Sequence, residues 1–374
     1  MIHRVASVLL RIVPVLILVS VGTAILTELV PGDPAVAVVG AEATPEQYAA
    51  VRESLGLDRS WFARYFDWLG GLLHGDLGRT LVPPVQDVAT LIASRLPVTL
   101  EIAVLSVLLA LAIAVPVGTW SAYRYGQVFD RVASGVSFAV ISLPSFLLAL
   151  IMIYFAVFRP EWVKVALLAA CSVAVLVLVG ATLGSRGARV TANSRRTIRL
   201  FALGVAVAGI ALAVILPDFP RQGFARIGDT GLAENLRTVL LPVLVLGVAE
   251  GAQLTRLLRS DMATTLNDDF VLSARAQGMP VRHILIKEAL RPSTFSLVTV
   301  AGISFGRLLG GTVIVETIFR LPGMGTLIVD SVAKKEFMVL QAAVLVVAAL
   351  YVLVNALVDI SYLYLDPRTR HVRV

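Results

Sequence analysis

IAVLSVLLALAIAVPVGTWSAY, residues Ile102–Tyr123, is a run of 22 residues without a charge. At a helical rise of 1.5 Å per residue it reaches about 33 Å, enough to cross a hydrocarbon core about 30 Å thick. In water such a helix has no polar face to show. The same kind of run recurs on both sides of it. Ile12–Thr27 is uncharged inside a candidate span at 9–30, and Phe337–Val358 inside one at 337–360. No charge lies between Arg131 and Arg159, inside a span expected at 132–158. With 98–122, 164–184, 200–217, 238–256 (holding Glu250) and 292–316 (holding Arg307), the spans number eight.

The whole composition agrees with these runs. Of 374 residues, 57% are hydrophobic and 15% charged, whereas soluble domains run about 45–50% apolar and about 25% charged. The fold class read from sequence is an all-α integral membrane protein of about eight transmembrane helices, sited in a lipid bilayer. A soluble enzyme is excluded. The net charge of +7 is what basic cytoplasmic loops produce and calls for no nucleic acid. The single Cys171 has no partner for a disulfide within the chain. His3, His74, His283 and His371 are scattered, so no metal cluster is visible. Neither a nucleophile–base set nor a G-x-x-x-x-G-K-[ST] phosphate loop is present.

Charge placement orients the spans. With the N-terminus inside, the short inside segments collect 18 of the 32 basic residues, among them Arg124, Arg131, Arg256, Arg259 and the tail Arg368, Arg370 and Arg373. The outside loop 31–97 has five basic residues against eight acidic ones. Both termini then lie in the cytoplasm. The uncharged core of the first span exceeds the 7–15 residues of a signal-peptide core, and no A-x-A site precedes Pro31, so that span is expected to be retained. Trp61, Phe62, Tyr65, Phe66 and Trp68 in the outside loop suit a small cap or an interfacial helix.

The cytoplasmic loop 257–291 is not linker-like. Asp268 and Asp269 open a helix-compatible run, Gly278 and Pro280 break it, and Val281–Leu290 reads as a second amphipathic helix that Pro292 ends. Two short helices at an angle form a knob suited to a partner's groove.

At these residues the chain resembles a known family. Ala274-Arg275-Ala276-Gln277-Gly278 is similar to the coupling loop of binding-protein-dependent ABC importer permeases, in the form found in the oligopeptide/dipeptide/nickel group. Pro31-Gly32-Asp33-Pro34, Leu55-Gly56-Leu57-Asp58, Gly75-Asp76-Leu77-Gly78 and Arg95-Leu96-Pro97-Val98-Thr99 resemble that group's outside loop and second-span start. Val315-Glu316-Thr317-Ile318-Phe319, Pro322-Gly323-Met324-Gly325 and Leu365-Asp366-Pro367-Arg368 resemble its C-terminal part. The likeness covers about 1–158 and 217–374.

The resemblance implies a six-span permease core in a bacterial inner membrane, carrying peptides or a similar small solute. It implies a heterodimer with a sister permease, two cytoplasmic ABC ATPases that bind ATP and Mg, and an extracytoplasmic substrate-binding protein. This chain itself would hold no cofactor and would not be an enzyme. Ala274, Arg275, Ala276, Gly278, Met279, Pro280 and Arg282 would make the ATPase contact within 268–290. The domain plan is a first helix (1–30), an outside cap (31–97), two spans (98–158), an inserted hairpin (159–216), the C-terminal core (217–366) and a cytoplasmic tail (367–374). The insertion, with its basic loop Ser185–Arg199, departs from the family.

Two charges lie inside spans. Glu250 and Arg307 each cost roughly 2.5–3.5 kcal/mol at mid-membrane when unpaired. They are expected either to pair across the sixth and seventh helices or to line the path. Gly302, Gly306 and Gly310 make one smooth helix face, for a sister permease or for a helix of the same chain. The competing reading is a stand-alone secondary transporter or channel, whose marks would be internal repeats and ionisable groups at a midplane site.

Overall fold

In lipid, a backbone must satisfy its own N–H and C=O groups, and a chain without a closed barrel does so as helices. The computed structural model describes residues 2–29, 32–40, 43–162, 164–165, 168–169, 172, 219–220 and 222–365. Among them there is no strand beyond an isolated bridge between Arg79 and Asp87. The helices are α1 (Ile2–Leu29), α2 (Pro34–Val39), α3 (Pro45–Ser54), α4 (Trp61–Leu73), α5 (Val88–Tyr123), α6 (Val128–Ser142) and α7 (Ser145–Phe158). Then follow α8 (Leu232–Thr265), α9 (Asp269–Ala276), α10 (Val281–Gly311), α11 (Val313–Phe319), α12 (Met324–Lys334) and α13 (Phe337–Leu365).

Four of these, α5, α8, α10 and α13, are long and apolar enough to cross a membrane; α6 with α7 makes a fifth if the broken pair is one span. α1 adds a shorter apolar stretch, Val13–Leu29. The expected spans 164–184 and 200–217, with Cys171 and the loop Ser185–Arg199, lie outside the described residues apart from a few positions near their start. So does the tail 367–374. By internal contacts the chain divides into two units, residues 1–146 with 242–374, and residues 147–241. In the second, Asn235 Nδ2 donates to the Ala225 carbonyl at 2.9 Å and closes the turn ahead of α8. Every site below lies in the first.

Prolines move several boundaries. The run 132–158, expected as one span, is broken: Leu143 takes φ −88° and ψ 126°, the extended state a following proline imposes, and the chain bends sharply there before α7 begins at Ser145. Pro292, expected to end a short cytoplasmic helix, instead lies inside α10. A π-helical turn over Ile284–Ala289 precedes it and re-registers the backbone, so the helix runs on. α5 starts ten residues before the expected 98, where the Asp87 carboxylate accepts the Ala89 N–H at 2.8 Å, and it passes through Pro97 and Pro116. At 36 residues it is about 54 Å long and outruns the hydrocarbon core.

Two buried clusters sit toward opposite ends of α5. One joins Ala110, Ala114 and Ala122 of α5 to Leu254, Leu258, Met262 and Leu266 of α8, and to Val271, Ala274, Ile284, Leu285 and Ala289. Apolar side chains gain little from leaving lipid tails, so close van der Waals contact has to carry this packing. Ser106, Ala110, Ala114, Gly118 and Ala122 repeat at every fourth position on one face of α5 and are buried. Facing them, a Cβ at Gly247 would lie 2.8 Å from Leu109 Cδ2 and 3.0 Å from the Ser106 carbonyl oxygen, so any larger residue would force Leu109 and α5 to shift. The other cluster joins Ala24, Tyr65, Trp68, Val88 and Ile92 to Met324, Leu327, Val339, Ala342 and Ala343.

The segment between α1 and α5 is folded by local capping. Asp33 accepts the Ala35 N–H at 2.9 Å and opens α2. Thr44 and Gln47 form a reciprocal capping box on α3. Ser60 caps α4, which turns Tyr65 and Trp68 inward and leaves Phe62 and Phe66 exposed.

Candidate functional site

α9 ends in the geometry that its glycine permits. Gly278 has φ +75°, its N–H reaches the Arg275 carbonyl at 3.0 Å, and the Met279 N–H reaches that of Ala274 at 3.2 Å. That pair of bonds is a Schellman closure, which needs a left-handed residue at this position. A Cβ there meets nothing within 4 Å, so backbone conformation and not space selects glycine. Pro280 then stands as N-cap of α10.

The closure sorts the seven residues expected at the partner contact into two groups. Ala274 is 5% exposed and packs into the core shared with α8, and Met279 packs against that same core. Arg275, Ala276, Gly278, Pro280 and Arg282 are exposed. Phe270, Leu272, Val281 and Ile286 are exposed as well, at 46%, 48%, 44% and 49%. These four apolar side chains were not singled out from the sequence. Their signal was present, since Val271 and Ala274 already account for the inward face of an eight-residue helix. Beside them, Tyr123, Arg124, Gln127, Arg275, Met279, Val281 and Ile284 line a groove of about 570 Å³.

The first turn of α6 is tied to α8 next to this segment. The Asp130 carboxylate is 2% exposed and accepts from Arg259 through Nε and through Nη2 at 2.8 Å, from the Ser121 hydroxyl, and from the Gly126 N–H at 2.8 Å. The Arg259 guanidinium also stacks over Tyr125 at 4.7 Å. Four donors on one buried carboxylate make a rigid joint between the α5–α6 turn and the C-terminal half of α8. Sequence reasoning counted Arg259 only among the basic residues of the inner face.

Glu250 and Arg307 are brought together. Arg307 Nη2 lies 2.9 Å and 2.7 Å from the two Glu250 carboxylate oxygens, 3.2 Å from Gln253 Oε1 and 3.4 Å from Ser304 Oγ. The Glu250 side chain is 9% exposed and that of Arg307 53% exposed, so the pair is covered on one side and open on the other. Nearby on α8, Arg256 lies over the Phe138 ring at 4.1 Å.

Gly302, Gly306 and Gly310 face a helix of the same chain. A Cβ on Gly302 would collide with Val358, one on Gly306 would meet Tyr351 at 3.2 Å, and one on Gly310 would touch Val347 at 4.0 Å, all on α13.

The C-terminal motifs also find a physical reason. Glu316 is fully buried and accepts from the hydroxyls of Thr99 (2.7 Å) and Thr312 (2.9 Å) and from the N–H groups of Gly325 (2.7 Å) and Thr326 (3.2 Å). Its carboxylate therefore caps α12 and pins α5 and α11 to it, and Gly323 and Gly325 leave room for it.

Family models match this arrangement over nearly its full length. The binding-protein-dependent transport system inner membrane component matches residues 114–371, and the N-terminal component of such systems matches residues 1–103. The chain belongs to this family. It is 30% identical over 371 residues to the dipeptide transport system permease protein DppB of Escherichia coli (strain K12), covering 96% of each chain. It is 28% identical over 363 residues to the "Probable peptide ABC transporter permease protein" of Sinorhizobium fredii (strain NBRC 101917 / NGR234), covering 97% of each. Membership makes the chain a multi-pass membrane permease of the inner-membrane type. The family match runs through the α9–Gly278–α10 segment, the Glu250–Arg307 pair and the Glu316 cap alike.

Proposed function

We propose that the chain is one permease subunit of an ATP-driven importer, forms half of the path for peptides or a similar small solute, and receives an ATPase on the α9–Gly278–α10 knob. One observation carries the reading. The knob is anchored by a buried face on α8 and presents an outer face of Phe270, Leu272, Arg275 and Val281, more apolar than an unpartnered surface in water needs to be. A partner that covers this face can move it only together with α8 and α10, because Ala274, Ile284 and Leu285 belong to their core. That gives the knob a lever on the helices holding Glu250 and Arg307.

In this reading the inner face bears the knob and both termini, and a sister permease completes the path. Two cytoplasmic ABC ATPases bind ATP and Mg, and an extracytoplasmic binding protein delivers the solute. The peptide class is supported by the names of the relatives. The open side of the Glu250–Arg307 pair, with Gln253, is the surface assigned to the path.

The test uses the complex reconstituted with its partners in lipid. Arg275→Glu should leave assembly intact and abolish most of the solute-stimulated ATP hydrolysis. Unchanged stimulation would overturn the docking assignment. Solute uptake by this chain alone in proteoliposomes would replace the reading with a stand-alone transporter.

A further inference from the structure

At the end of α5 remote from the knob lies a cavity of about 290 Å³. Its walls come from the end of α1, from α4, from the turns around Leu57 and Asp76, and from the start of α13. Trp61, Trp68 and Phe337 give it an aromatic lining. Three of its lining residues carry N–H groups with no acceptor among the described residues: Arg64 Nε, Trp68 Nε1 and Gln341 Nε2. Trp68 and Gln341 are each 7% exposed. The neighbouring hydroxyls are in use, since Tyr65 pairs with Ser20 at 2.9 Å and Thr27 donates to the Ala24 carbonyl at 2.7 Å.

A buried donor without an acceptor costs about 1–3 kcal/mol, and three around one cavity are an unusual concentration. What they lack is an acceptor, so the missing group bears lone pairs. The charges complete the pattern. Arg59 pairs with Asp67, and Arg64 pairs through Nη2 with Glu28 at 2.7 Å. Asp76 is solvent-exposed, accepts the Gly78 N–H at 2.8 Å and joins no ion pair among the described residues. The lining thus holds free N–H donors, one exposed carboxylate outside any ion pair and an aromatic wall. A simple anion would leave that carboxylate unmatched, and a simple cation would leave the donors unmet.

We propose that this cavity binds a small zwitterion with an apolar body, as a short peptide or large neutral amino acid presents. Its carboxylate accepts from Arg64, Trp68 and Gln341, its ammonium meets Asp76, and its side chain lies on the aromatic wall. The volume suits a molecule of about dipeptide size. The proposal deepens the importer reading by giving the solute a stopping place on this chain, while the cavity chemistry is independent of that reading.

The experiment titrates leucyl-leucine into the full chain in lipid nanodiscs, reading tryptophan fluorescence and heat. Saturable binding is expected, weakened about tenfold or more for leucyl-leucine amide and for N-acetyl-leucyl-leucine. Trp68→Phe keeps the ring and removes the donor, and with Gln341→Leu it should lower affinity by a similar factor. Gln341→Leu should also raise the melting temperature of the empty protein, because an unmet buried donor is gone; a packing role alone would lower it. No saturable binding, or equal binding of the three peptides, overturns the proposal. Dipeptide binding by the chain without import by the complex would count against the importer reading and leave this site standing. Import unaffected by the double variant, with no binding to the chain, would do the reverse.

Discussion

The two ends of α5 are built by different physics. Around the knob, small residues on α5 and α8 let helices touch, the buried core is mainly apolar, and the Asp130–Arg259 joint is its ion pair. At the far end, buried carboxylates accept backbone N–H groups from other segments. Glu316 holds Gly325 and Thr326, and Glu336 holds Leu81 at 2.7 Å and Val82 at 2.6 Å. Helix-on-helix packing can slide or tilt with modest loss, whereas a carboxylate–amide clamp is either made or broken. The knob end is thus suited to transmit movement, and the far end to hold a fixed rim around the cavity.

The sharpest way to break this comparison is Glu316→Ala. It leaves two N–H groups and two hydroxyls without their acceptor in a fully buried place. The expected loss is about 3–5 kcal/mol, read as a fall in the unfolding midpoint in nanodiscs, with Glu316→Gln recovering part of it. A loss no larger than that of an ordinary surface change would show that the clamp is not what fixes the far end.

Gly302→Val should come next, costing about 1–3 kcal/mol by overpacking, because its side chain runs into Val358. Val358→Ala should recover much of that loss in the double variant, measured by the same midpoint. Failure of the rescue would mean that Gly302 meets something other than α13.

The smallest effect is a pH dependence in the segment between α1 and α5. Burial alone would raise the Asp33 carboxyl, but hydrogen bonds from the Tyr48 hydroxyl and the Ala35 N–H, with the Arg52 guanidinium, hold it below its ordinary value. A carboxyl held low in the folded state stabilises it above the ordinary titration range, and that stability is lost as pH falls through the folded value. The unfolding midpoint should therefore drop as pH goes below about 4, and Asp33→Asn should show less of that drop. Equal pH profiles would remove Asp33 from the account.

The all-α membrane class, the kind of permease and the place of the α9–Gly278–α10 turn were legible in the sequence. Each rests on a local property: uncharged length, motif residues in order, and a glycine where the chain must turn left-handed. Helix continuity was less legible, because Pro144 breaks a run while Pro97, Pro116 and Pro292 do not. Whether a proline ends a helix depends on what neighbouring helices and a π-turn can absorb.

The sequence by itself determined that the chain must lie in lipid as helices, since 57% apolar residues and long uncharged runs leave no other way to satisfy the backbone. It also marked Glu250 and Arg307 as charges that a bilayer penalises. Only the tertiary structure decided that these two meet, that the Gly302 stripe serves α13, and that Ala274 faces inward. It alone revealed that Glu336 clamps distant amides, that Glu316 holds the distant Thr99 hydroxyl, and that three unmet donors line one cavity. Those facts depend on groups far apart along the chain, whose approach no local periodicity records.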